Sequence, residues 1–599
     1  MRPCHIIRKT NNAEYPNNCI WFDTETHQVK QPDGSIRHYL KFGYACYMRR
    51  NDKGEWDYEE WYRFERVSDF WFWVSGKCRS KSKLYLFCHN TSFDLPVLNV
   101  FSSLPAMGFE LESAIIDAPP TILRYARAKQ YLVILDTLNL FRMPLSYLGQ
   151  EIGLSKLDMP EDNALGVTWD TYGKRDVEII RDACLQWWKF LKDNNYGSFM
   201  PTLAGQAMRV YKQQYMRHEI LIDNNERNLE LTREGYYGAR NECFRLGHYK
   251  GDFTLLDVNS MYPDVMATNP LPFRLVSHLQ RETVQSLADI VQRYAVTARV
   301  IVHTDIPAYP KKHDGKLMFP VGRFECILST PEIIYALERS HIKTVLECSV
   351  FEQDYLFKEM MNDLYQRRVT ARERGDNVGA FLFRKIINSF YGKWGQSGGK
   401  WIEIGKCNDL EFSTETIYNV DTKKLVKIRH IGGLIQQVDD EMESRDSFPA
   451  IAGHITAYAR MKLWNIIQTA GRDNVYYCDT DSVLVTRNGC DNLKSQINKS
   501  RMGFLSIKGE YHEASIYGCK DYVFGDVAKT KGVRSNALWL GPNIIEQVKW
   551  SGLRGLLRSN SCDAPITSVV TKHLKRQYTK GVVKKDGSVH PLVFPLRSR

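Results

Sequence analysis

Apolar residues along this chain form short blocks that end at acidic positions, and one such block lies in the last third of the sequence. Tyr476–Cys478 and Val483–Val485 flank a polar tip, which predicts two strands joined by a tight turn. The tip holds Asp479 and Asp481, and an extended backbone is expected to point both carboxylates the same way because they are two residues apart. Such carboxylates repel each other unless a cation lies between them, and hard oxygen ligands suit Mg²⁺ or Mn²⁺. An acidic surface turn is the alternative interpretation.

Three stretches in the first third of the chain carry further carboxylates. Ile20–Phe22 is a short apolar strand that precedes Asp-x-Glu, and Leu84–Cys88 is another that precedes Asn-x-x-Phe-Asp. Tyr172 opens a predicted helix, because apolar residues behind it recur at helical spacing. Singly, each stretch is also explained as an ordinary strand end, turn or helix start. Together they hold four carboxylates: Asp23, Glu25, Asp94 and Asp176.

Four carboxylates are enough for a two-metal site that hydrolyses a phosphodiester. Tyr172 lies one helical turn before Asp176 and is expected to orient the attacking water. A further apolar strand, Phe253–Leu256, ends at Asp257 and supplies the carboxylate that the later turn lacks. Asp257 and Asp481 are expected to bridge two metals about 3.5–4 Å apart.

A basic segment lies between these two acidic strands. Phe357–Arg374 and Ala380–Tyr391 have helical patterns, and Gly375–Gly379 interrupts them, which predicts an antiparallel helix pair. Several arginines crowd this pair. A solvated basic face would explain them, but a triphosphate needs several cations at once and arginine is well shaped to grip it.

Composition narrows the possible partners of these sites. The chain has 599 residues, enough for several domains, with 25% charged and 43% apolar residues, as in soluble globular proteins. Its net charge of +12 and pI near 8.9 favour a nucleic-acid partner over a membrane surface. The 14 cysteines show no CxxC pair, which favours free thiols in a reducing compartment. No signal peptide is evident at the N-terminus.

In their order and spacing, these motifs resemble those of family B DNA polymerases with a DEDDy 3′–5′ exonuclease domain. The resemblance implies an α/β multidomain fold, with a ribonuclease-H-like exonuclease followed by palm, fingers and thumb. It implies that Asn90 and Phe93 hold the single-stranded 3′ end with His89 beside them. Thr137-Leu138 and Lys156 resemble motifs of the protein-primed branch, in which the lysine assists the scissile phosphate. All these residues would belong to the exonuclease.

For the polymerase site, the resemblance adds Val258 to the metal ligands and places Tyr262 under the incoming sugar, where it excludes a 2′-hydroxyl. The residues expected to bind nucleotide are Tyr262, Arg368, Arg372, Arg384, Lys385, Asn388 and Tyr391. The polymerase residues expected to touch DNA are Tyr236, Gly238, Lys520 and Tyr522. The sequence departs from the family's Lys-x-x-x-Asn-Ser-x-Tyr-Gly motif, because Arg384 lies four residues before Asn388 and lysine follows at 385. The helical register favours Arg384, and Lys385 remains a rival.

The predicted domains are an exonuclease at 1–195, a linker and start of the palm at 196–250, the palm at 251–528 and a thumb at 529–599. The fingers occupy about 355–395, and two inserts lie at about 285–350 and 397–449. Protein-primed polymerases are similar in having inserts at these places. Lys572, Lys575 and Arg576 belong to a basic C-terminal stretch expected to bind duplex DNA, with a disordered tail as the alternative.

The predicted function is therefore DNA-directed DNA synthesis from a terminal-protein primer, with proofreading and strand displacement. Two Mg²⁺ ions per site are the expected cofactors, with Mn²⁺ as a substitute. The expected partners are template and primer DNA, dNTPs and a terminal protein, in the host cytoplasm or in a eukaryotic nucleus or mitochondrion. A polymerase that uses nucleic-acid primers or none is one alternative. A non-catalytic DNA-binding replication factor is another, and the intact carboxylates argue against it.

Overall fold

The computed structural model describes residues 2–117, 119–160, 168–398, 400–407, 412–420, 423–439, 443–558 and 565–594. Parts of the predicted second insert and thumb therefore lie outside the described residues. None of the helices in the described ranges combines the length and the apolar character that crossing a bilayer requires.

Within the described residues, the first sheet has ten strands and carries Asp23 and Glu25 near its centre, while Asp94 and Asp176 lie on helices that pack beside it. Along the sheet the strands are Leu538–Gly541, Ile544–Ser551, Ile566–His573, Ile36–Arg50, Asn18–Lys30, Lys83–Cys88, Gln130–Asp136, Thr121–Arg127 and Glu110–Ile116, with Trp56–Phe64 beside Ile36–Arg50. The long helix Trp169–Asp193 packs on this sheet. The apolar residues predicted for its inner face, Val177, Ile180, Cys184, Trp187 and Leu191, are all buried, as expected.

The apolar pattern predicted that the strand ends at the Asp-x-Glu sequence. In the structure the strand continues beyond it. Asn18–Lys30 continues past Asp23 and Glu25, because it forms a long antiparallel hairpin with Ile36–Arg50. Its parallel pairing with Lys83–Cys88 ends at Trp21. Asp23 and Glu25 therefore lie just beyond the end of the parallel pairing, which opens a cleft beside them.

The second sheet has seven strands and carries the other acidic motif. In order they are Asn241–Cys243, Val475–Asp479, Ser482–Thr486, Gly247–Val258, Leu505–Gly518, Asp521–Phe524 and Val527–Thr530. Asn241–Cys243 comes from the stretch predicted as a linker. The helix Pro449–Ala470 contacts this sheet. Pro449 explains the start, since proline is favoured in the first helical turn.

Two smaller sheets correspond to the predicted inserts. The first contains Leu271–Gln280, Ile342–Asp354, Ala295–Thr304, Val321–Ser329 and the C-terminal Val593–Phe594, in that order. It begins earlier than residue 285, the predicted boundary. The second contains Lys400–Lys406, Leu434–Asp439, Lys424–Ile431 and Ser413–Asn419. Phe412 beside it packs on Phe101 at 4.6 Å between ring centroids, which anchors this insert to the first sheet's core.

The predicted antiparallel helix pair consists of Lys358–Glu373 and Asn377–Ser389. The interruption is shorter than predicted, because Asp376 caps the second helix by accepting a hydrogen bond from the Gly379 N–H at 2.8 Å. The other α-helices are Val67–Lys77, Thr91–Val97, Val100–Ala106, Leu145–Glu151, Leu203–Val210, Glu226–Glu234, Met261–Thr268, Val284–Ile290, Thr330–Leu337, Tyr391–Trp394, Arg487–Asn492 and Leu553–Arg558. Short two-stranded sheets pair His5–Ile7 with Ile220–Ile222, Lys311–His313 with Lys316–Met318, and Gly581–Val583 with Val589–Pro591.

The C-terminal stretch links distant parts of the molecule. Thr567 pairs with Ile36 at the edge of the first sheet. Farther along, the Tyr578 hydroxyl accepts a hydrogen bond from the Cys243 N–H at 3.1 Å on the second sheet. Val593 then pairs in parallel with Val321 of the first insert. These contacts hold the described part of the C-terminal stretch against the rest of the molecule. A disordered tail, the alternative considered from the sequence, would not make them.

Candidate active sites

The first candidate site is a cleft of about 490 Å³ beside the hairpin of the first sheet. Oxygen atoms of Asp23, Glu25 and Asp176 lie within 4.8 Å of one another in this cleft. Its lining is Asp23, Thr24, Glu25, His89, Asn90, Phe93, Asp94, Leu138, Met143, Pro144, Leu145, Lys156, Tyr172 and Asp176. All the residues predicted for the nuclease except Thr137 therefore line one cavity.

The carboxylates in this cleft are electrostatically costly without a cation. Burial and the nearby Asp94 and Asp176 carboxylates raise the pKa of Asp23 well above its ordinary value. Burial and then Asp176 raise the pKa of Glu25 to about 7. One carboxylate oxygen of Asp176, Oδ1, is buried and accepts no hydrogen bond within the described structure. Crowded hard oxygens with an unpartnered lone pair fit a divalent cation of the Mg²⁺ type.

Lys156 and Tyr172 lie against this acidic cluster. The Lys156 ammonium forms an ion pair with Asp176 and lies 4.5 Å from the centre of the Tyr172 ring. Although burial opposes it, the Asp176 carboxylate raises the pKa of Lys156. Lys156 therefore brings a positive charge to the carboxylate cluster.

Asp94 is held at the back of the cleft. Its Oδ1 accepts hydrogen bonds from the Thr24 N–H at 3.1 Å and the Thr24 hydroxyl at 2.7 Å. Burial raises the pKa of Asp94 to about 7 even though these bonds oppose the shift. The helix Thr91–Val97 carries Asp94 in its first turn, and the hydrogen bonds fix its distance from the strand of Asp23.

A buried carboxylate that the sequence analysis did not select, Asp136, joins the two loops expected to bind the DNA 3′ end. It accepts hydrogen bonds from the Asn90 N–H at 3.0 Å and the Leu138 N–H at 2.9 Å. Asp136 also accepts hydrogen bonds from the Thr91 N–H at 2.9 Å and from the Thr91 hydroxyl at 2.7 Å. The sequence did contain a signal for Asp136, because it is the acidic last residue of an apolar strand and directly precedes Thr137.

His89 and Thr137 support these loops. His89 hydrogen-bonds through one ring nitrogen to the Thr137 hydroxyl at 2.8 Å and through the other to the Met143 carbonyl at 2.9 Å. Burial lowers the pKa of His89. The Thr137 hydroxyl also lies 3.1 Å from the Cys88 carbonyl, and the residue is buried. In this structure both side chains therefore hold the loop rather than offering free groups to DNA.

An aromatic side chain from the C-terminal stretch reaches this cleft. The Trp550 ring lies 5.7 Å from Phe93 and 5.1 Å from His38, between ring centroids. The strand Ile544–Ser551 brings it there by extending the first sheet. Nothing in the local sequence around Trp550 indicated this approach, because it depends on pairing between opposite ends of the chain.

The second candidate site lies at the tip of the Val475–Thr486 hairpin. Thr480 has φ +63°, so Thr480 and Asp481 form the two-residue turn instead of continuing the strand. The prediction that Asp479 and Asp481 point the same way is therefore wrong, since it assumed extended backbone through the tip. Asp481 faces Asp257: burial and then the Asp257 charge raise the pKa of Asp481 to about 6.

Asp257 and its neighbours lie on the same side of this tip as Asp481. Asp257 pairs in register with Ser482, and the Val258 N–H donates to the Asp481 carbonyl at 2.8 Å. The Val258 side chain is buried, so only its main chain could contact a metal. Lys508, which the sequence analysis did not select, lies with its ammonium 3.3 Å from Asp257 Oδ1. Burial raises the pKa of Asp257, and Lys508 opposes the shift. The two carboxylates fit a divalent cation as ligands.

Asp479 faces the other way, toward the predicted primer-binding residues. Its Oδ1 accepts a hydrogen bond from the Asn241 amide at 2.9 Å and lies 3.6 Å from the Lys520 ammonium. The Lys520 N–H donates to the Tyr477 hydroxyl at 3.0 Å, and Tyr522 lies 5.3 Å from the Tyr477 ring. Asp479 thus contacts Asn241 and Lys520, while its charge also acts on Asp481.

Aromatic rings cover the other side of the second site. Tyr262 stacks on Tyr391, with 4.4 Å between ring centroids and 15° between planes. Tyr236 packs so closely on Gly395 that a side chain there would meet its ring at 2.4 Å. The Gly238 carbonyl accepts a hydrogen bond from Arg460 at 3.0 Å. These contacts bring the predicted Tyr-x-Gly and Asn-Ser-x-Tyr-Gly motifs to one region.

The predicted nucleotide-binding arginines cluster on the helix pair. The Arg368 guanidinium lies 3.5 Å from the Ser260 hydroxyl. Burial, and then the charges of Arg372 and Arg384, lower the pKa of Arg368. Asn388 is exposed on the second helix. Lys385 lies 5.1 Å from the centre of the Phe381 ring, and burial followed by the Arg384 charge lowers its pKa.

A profile described as "DNA polymerase type B, organellar and viral" matches residues 167–470, which is half of the chain. The chain belongs to this family. The matched range includes Asp176, Asp257 and the helix pair, and it ends just before Asp479 and Asp481.

The chain is also similar, at low identity, to curated proteins named as DNA polymerases. A "Probable DNA polymerase" of Neurospora intermedia is 20% identical over 337 residues, covering 54% of this chain and 34% of the relative. The "DNA-directed DNA polymerase" of Enterobacteria phage PRD1 is 24% identical over 324 residues, covering 54% of each. The DNA polymerase of Bacillus phage B103 is 22% identical over 425 residues, covering 67% of this chain and 69% of the relative. The chain thus spans about a third to a half of the length of the first two.

Solved structures of Phi29 DNA polymerase share the fold. Phi29 DNA polymerase in complex with primer-template DNA and incoming nucleotide has a TM-score of 0.68 at 16% identity, covering 94% of this chain and all of that one. Phi29 DNA polymerase in complex with single-stranded DNA has a TM-score of 0.61 at 16% identity, covering 93% and 92%. The α/β multidomain architecture expected from the sequence is confirmed.

Proposed function

We propose that this type B family member is a DNA-directed DNA polymerase with its own 3′–5′ exonuclease. The observation that carries the proposal is the meeting of Asp257 and Asp481 with the stacked Tyr262 and Tyr391 beneath a cluster of arginines. Carboxylates for metal, a flat surface for a sugar and cations for a triphosphate are the parts that nucleotidyl transfer requires. The relatives with DNA and nucleotide bound support these substrates, without assigning them to this chain.

In the proposed synthesis, the chain's residues act mainly by position. Asp257 and Asp481 would hold two Mg²⁺ ions, which supply charge neutralisation and activate the attacking hydroxyl. Tyr262 would lie under the sugar, and Arg368, Arg372 and Arg384 would bind the triphosphate. Lys520 and Tyr522, connected to the site through Asp479, would hold the primer.

The proposed exonuclease uses the cleft of the first sheet. Asp23, Glu25, Asp94 and Asp176 would hold two Mg²⁺ ions, which supply a metal-bound nucleophile. Lys156 would balance the negative charge of the scissile phosphate, and Tyr172 would orient the water. Asn90, Phe93 and Leu138 would contact the unpaired 3′ end. We keep the proposed domains of 1–195, 196–250, 251–528 and 529–599 as functional units, although the first sheet takes strands from the last.

The test is an extension assay on a primed DNA template with Mg²⁺, with and without dNTPs. Extension with dNTPs and shortening of the primer without them are the expected results. No extension at any dNTP concentration would contradict polymerase activity and would favour a non-catalytic DNA-binding replication factor. Replacing Mg²⁺ by Mn²⁺ should retain both reactions, whereas Ca²⁺ should support neither.

We also propose that synthesis starts on a hydroxyl of a terminal protein. Support comes from the two inserted sheets. They lie at the positions in the chain where protein-primed polymerases also have inserts. Labelled dNTP should become covalently attached to a priming protein in the presence of a DNA end. Efficient start only from an oligonucleotide would favour the alternative of nucleic-acid priming. The proposed location is the host cytoplasm, or a nucleus or mitochondrion, consistent with relatives from phages and fungi.

A further inference from the structure

The helix Leu145–Glu151 contacts both candidate sites. At its start, Pro144 and Leu145 line the nuclease cleft. At its end, Glu151 Oε1 accepts a hydrogen bond from Arg384 Nη2 at 2.9 Å. One short helix of the exonuclease therefore reaches an arginine of the nucleotide-binding cluster.

Arg384 lies between a carboxylate and other cations. Arg384 forms an ion pair with Glu151. Its positive charge, together with that of Arg372, also lowers the pKa of Arg368. Lys385 faces the same region, because the charges of Glu151 and Arg142 both act on its pKa. The Arg384 and Glu151 side chains are 37% and 34% exposed, so the pair is reachable by solvent and by a dissolved anion.

We propose that Glu151 is a positioning residue for nucleotide binding, which holds Arg384 on the exonuclease side until a triphosphate takes the carboxylate's place. This inference rests on the proposed polymerase function. A triphosphate carries more charge than one carboxylate and presents several oxygens, so it outcompetes Glu151 for the guanidinium. While Arg384 is paired, the fraction of protein ready to bind nucleotide is reduced, and the apparent affinity falls by that fraction.

The size of the effect follows from the exposure of the pair. Ion pairs at this exposure contribute weakly, so releasing Arg384 should raise the apparent dNTP affinity about two- to fivefold. In Glu151→Gln, the KM for dNTP should therefore fall about two- to fivefold while kcat stays unchanged. Glu151→Asp keeps the charge on a side chain one methylene shorter and should lower KM by less. A role limited to folding would not produce this split between KM and kcat.

The matched control is Glu359→Gln. Glu359 lies on the helix Lys358–Glu373 and forms an ion pair with Arg217, away from Arg384. This variant also removes a carboxylate from an arginine pair on the fingers, and its dNTP KM should equal that of the unaltered chain. Degradation of single-stranded DNA should be the same in all these variants.

A double substitution assigns the effect to Arg384. In an Arg384→Ala background, Glu151→Gln should leave the dNTP KM unchanged, because no guanidinium remains to be released. An equal fall in KM in both backgrounds would overturn the inference, and so would an unchanged or higher KM in both Glu151→Gln and Glu151→Asp alone. Absence of extension by the unaltered chain would instead refute the proposed function, and the inference with it.

Discussion

Arg384 and Lys385 are neighbours on one helix, and both side chains lie near Phe381 and Glu151. The charge of Arg384 also lowers the pKa of Arg368, so Arg384 reaches the arginine cluster that is expected to bind the triphosphate. Losing a charge-assisted contact to phosphate costs about 1.5–3 kcal/mol, or about 10- to 150-fold in rate or binding. Arg384→Ala should therefore raise the dNTP KM or lower kcat by this factor, in steady-state extension kinetics.

Lys385→Ala is the matched comparison for this prediction. It should act mainly on DNA binding and its salt dependence, because the helical register counted from Asn388 turns Lys385 away from the position expected to meet the triphosphate. A larger dNTP defect in Lys385→Ala than in Arg384→Ala would show that the register assigned to the helix is wrong.

Asp136 is expected to position the DNA 3′ end through the two loops that it joins. Asp136→Asn replaces one acceptor oxygen by a donor, so main-chain N–H groups of Asn90, Thr91 or Leu138 lose a partner. The KM for single-stranded DNA in the exonuclease reaction should rise about tenfold, equivalent to about 1.4 kcal/mol. Primer extension should be unchanged. A fall in both reactions to the same degree would indicate general destabilisation instead.

The raised carboxyl pKa values predict how Mg²⁺ stabilises the fold. The pKa values of Glu25 and Asp94 are about 7 in the folded chain, against about 4 when unfolded. Their contribution to stability is present below about pH 4 and is lost as pH rises through 7. Mg²⁺ binds the deprotonated forms, so its effect on Tm should be larger at pH 8 than at pH 6. An equal effect at both values in melting curves would contradict the assigned site, and Glu25→Gln should reduce the difference.

At the scale of elements, periodic helices were predictable and strand lengths were not. The helix pair and the buried face of Trp169–Asp193 follow from spacing along one segment. The continuation of Asn18–Lys30 past its carboxylates depends on pairing with the next strand, which an apolar pattern does not show. The turn at Thr480 likewise depends on one φ angle, and it decides that Asp481 faces Asp257 while Asp479 faces Lys520.

Candidate chemistry was more predictable than its supporting contacts. Asp23 and Asp257 each directly follow a short apolar strand, so both could be selected from sequence alone. Asp136, Glu151 and Trp550 act across tens to hundreds of residues, and their roles appear only once the chain is folded. Distant contacts of this kind leave no local pattern.

At the scale of the whole molecule, the end of the C-terminal stretch, Val593–Phe594, pairs in parallel with Val321–Gly322 of the first insert. Gly322 lies at φ +96°, and a Cβ there would meet the Phe594 carbonyl oxygen at 2.2 Å. Gly322→Ala should therefore detach Val593–Phe594 and speed amide hydrogen exchange there. Gly315→Ala is the control, since Gly315 has φ +71° with no atom near the added methyl. Equal exchange at 593–594 in both variants would show that the close approach does not hold the chain end.

The whole molecule carries two acidic centres on two different sheets, and the account assigns synthesis to one and degradation to the other. The most direct measurement compares Asp257→Asn with Asp23→Asn on the same primed template with Mg²⁺. Asp257→Asn should abolish extension and still shorten a single-stranded 3′ end, whereas Asp23→Asn should extend normally and no longer degrade. If either substitution removed both activities from a protein with an unchanged melting temperature, the assignment of one reaction to each centre would be wrong.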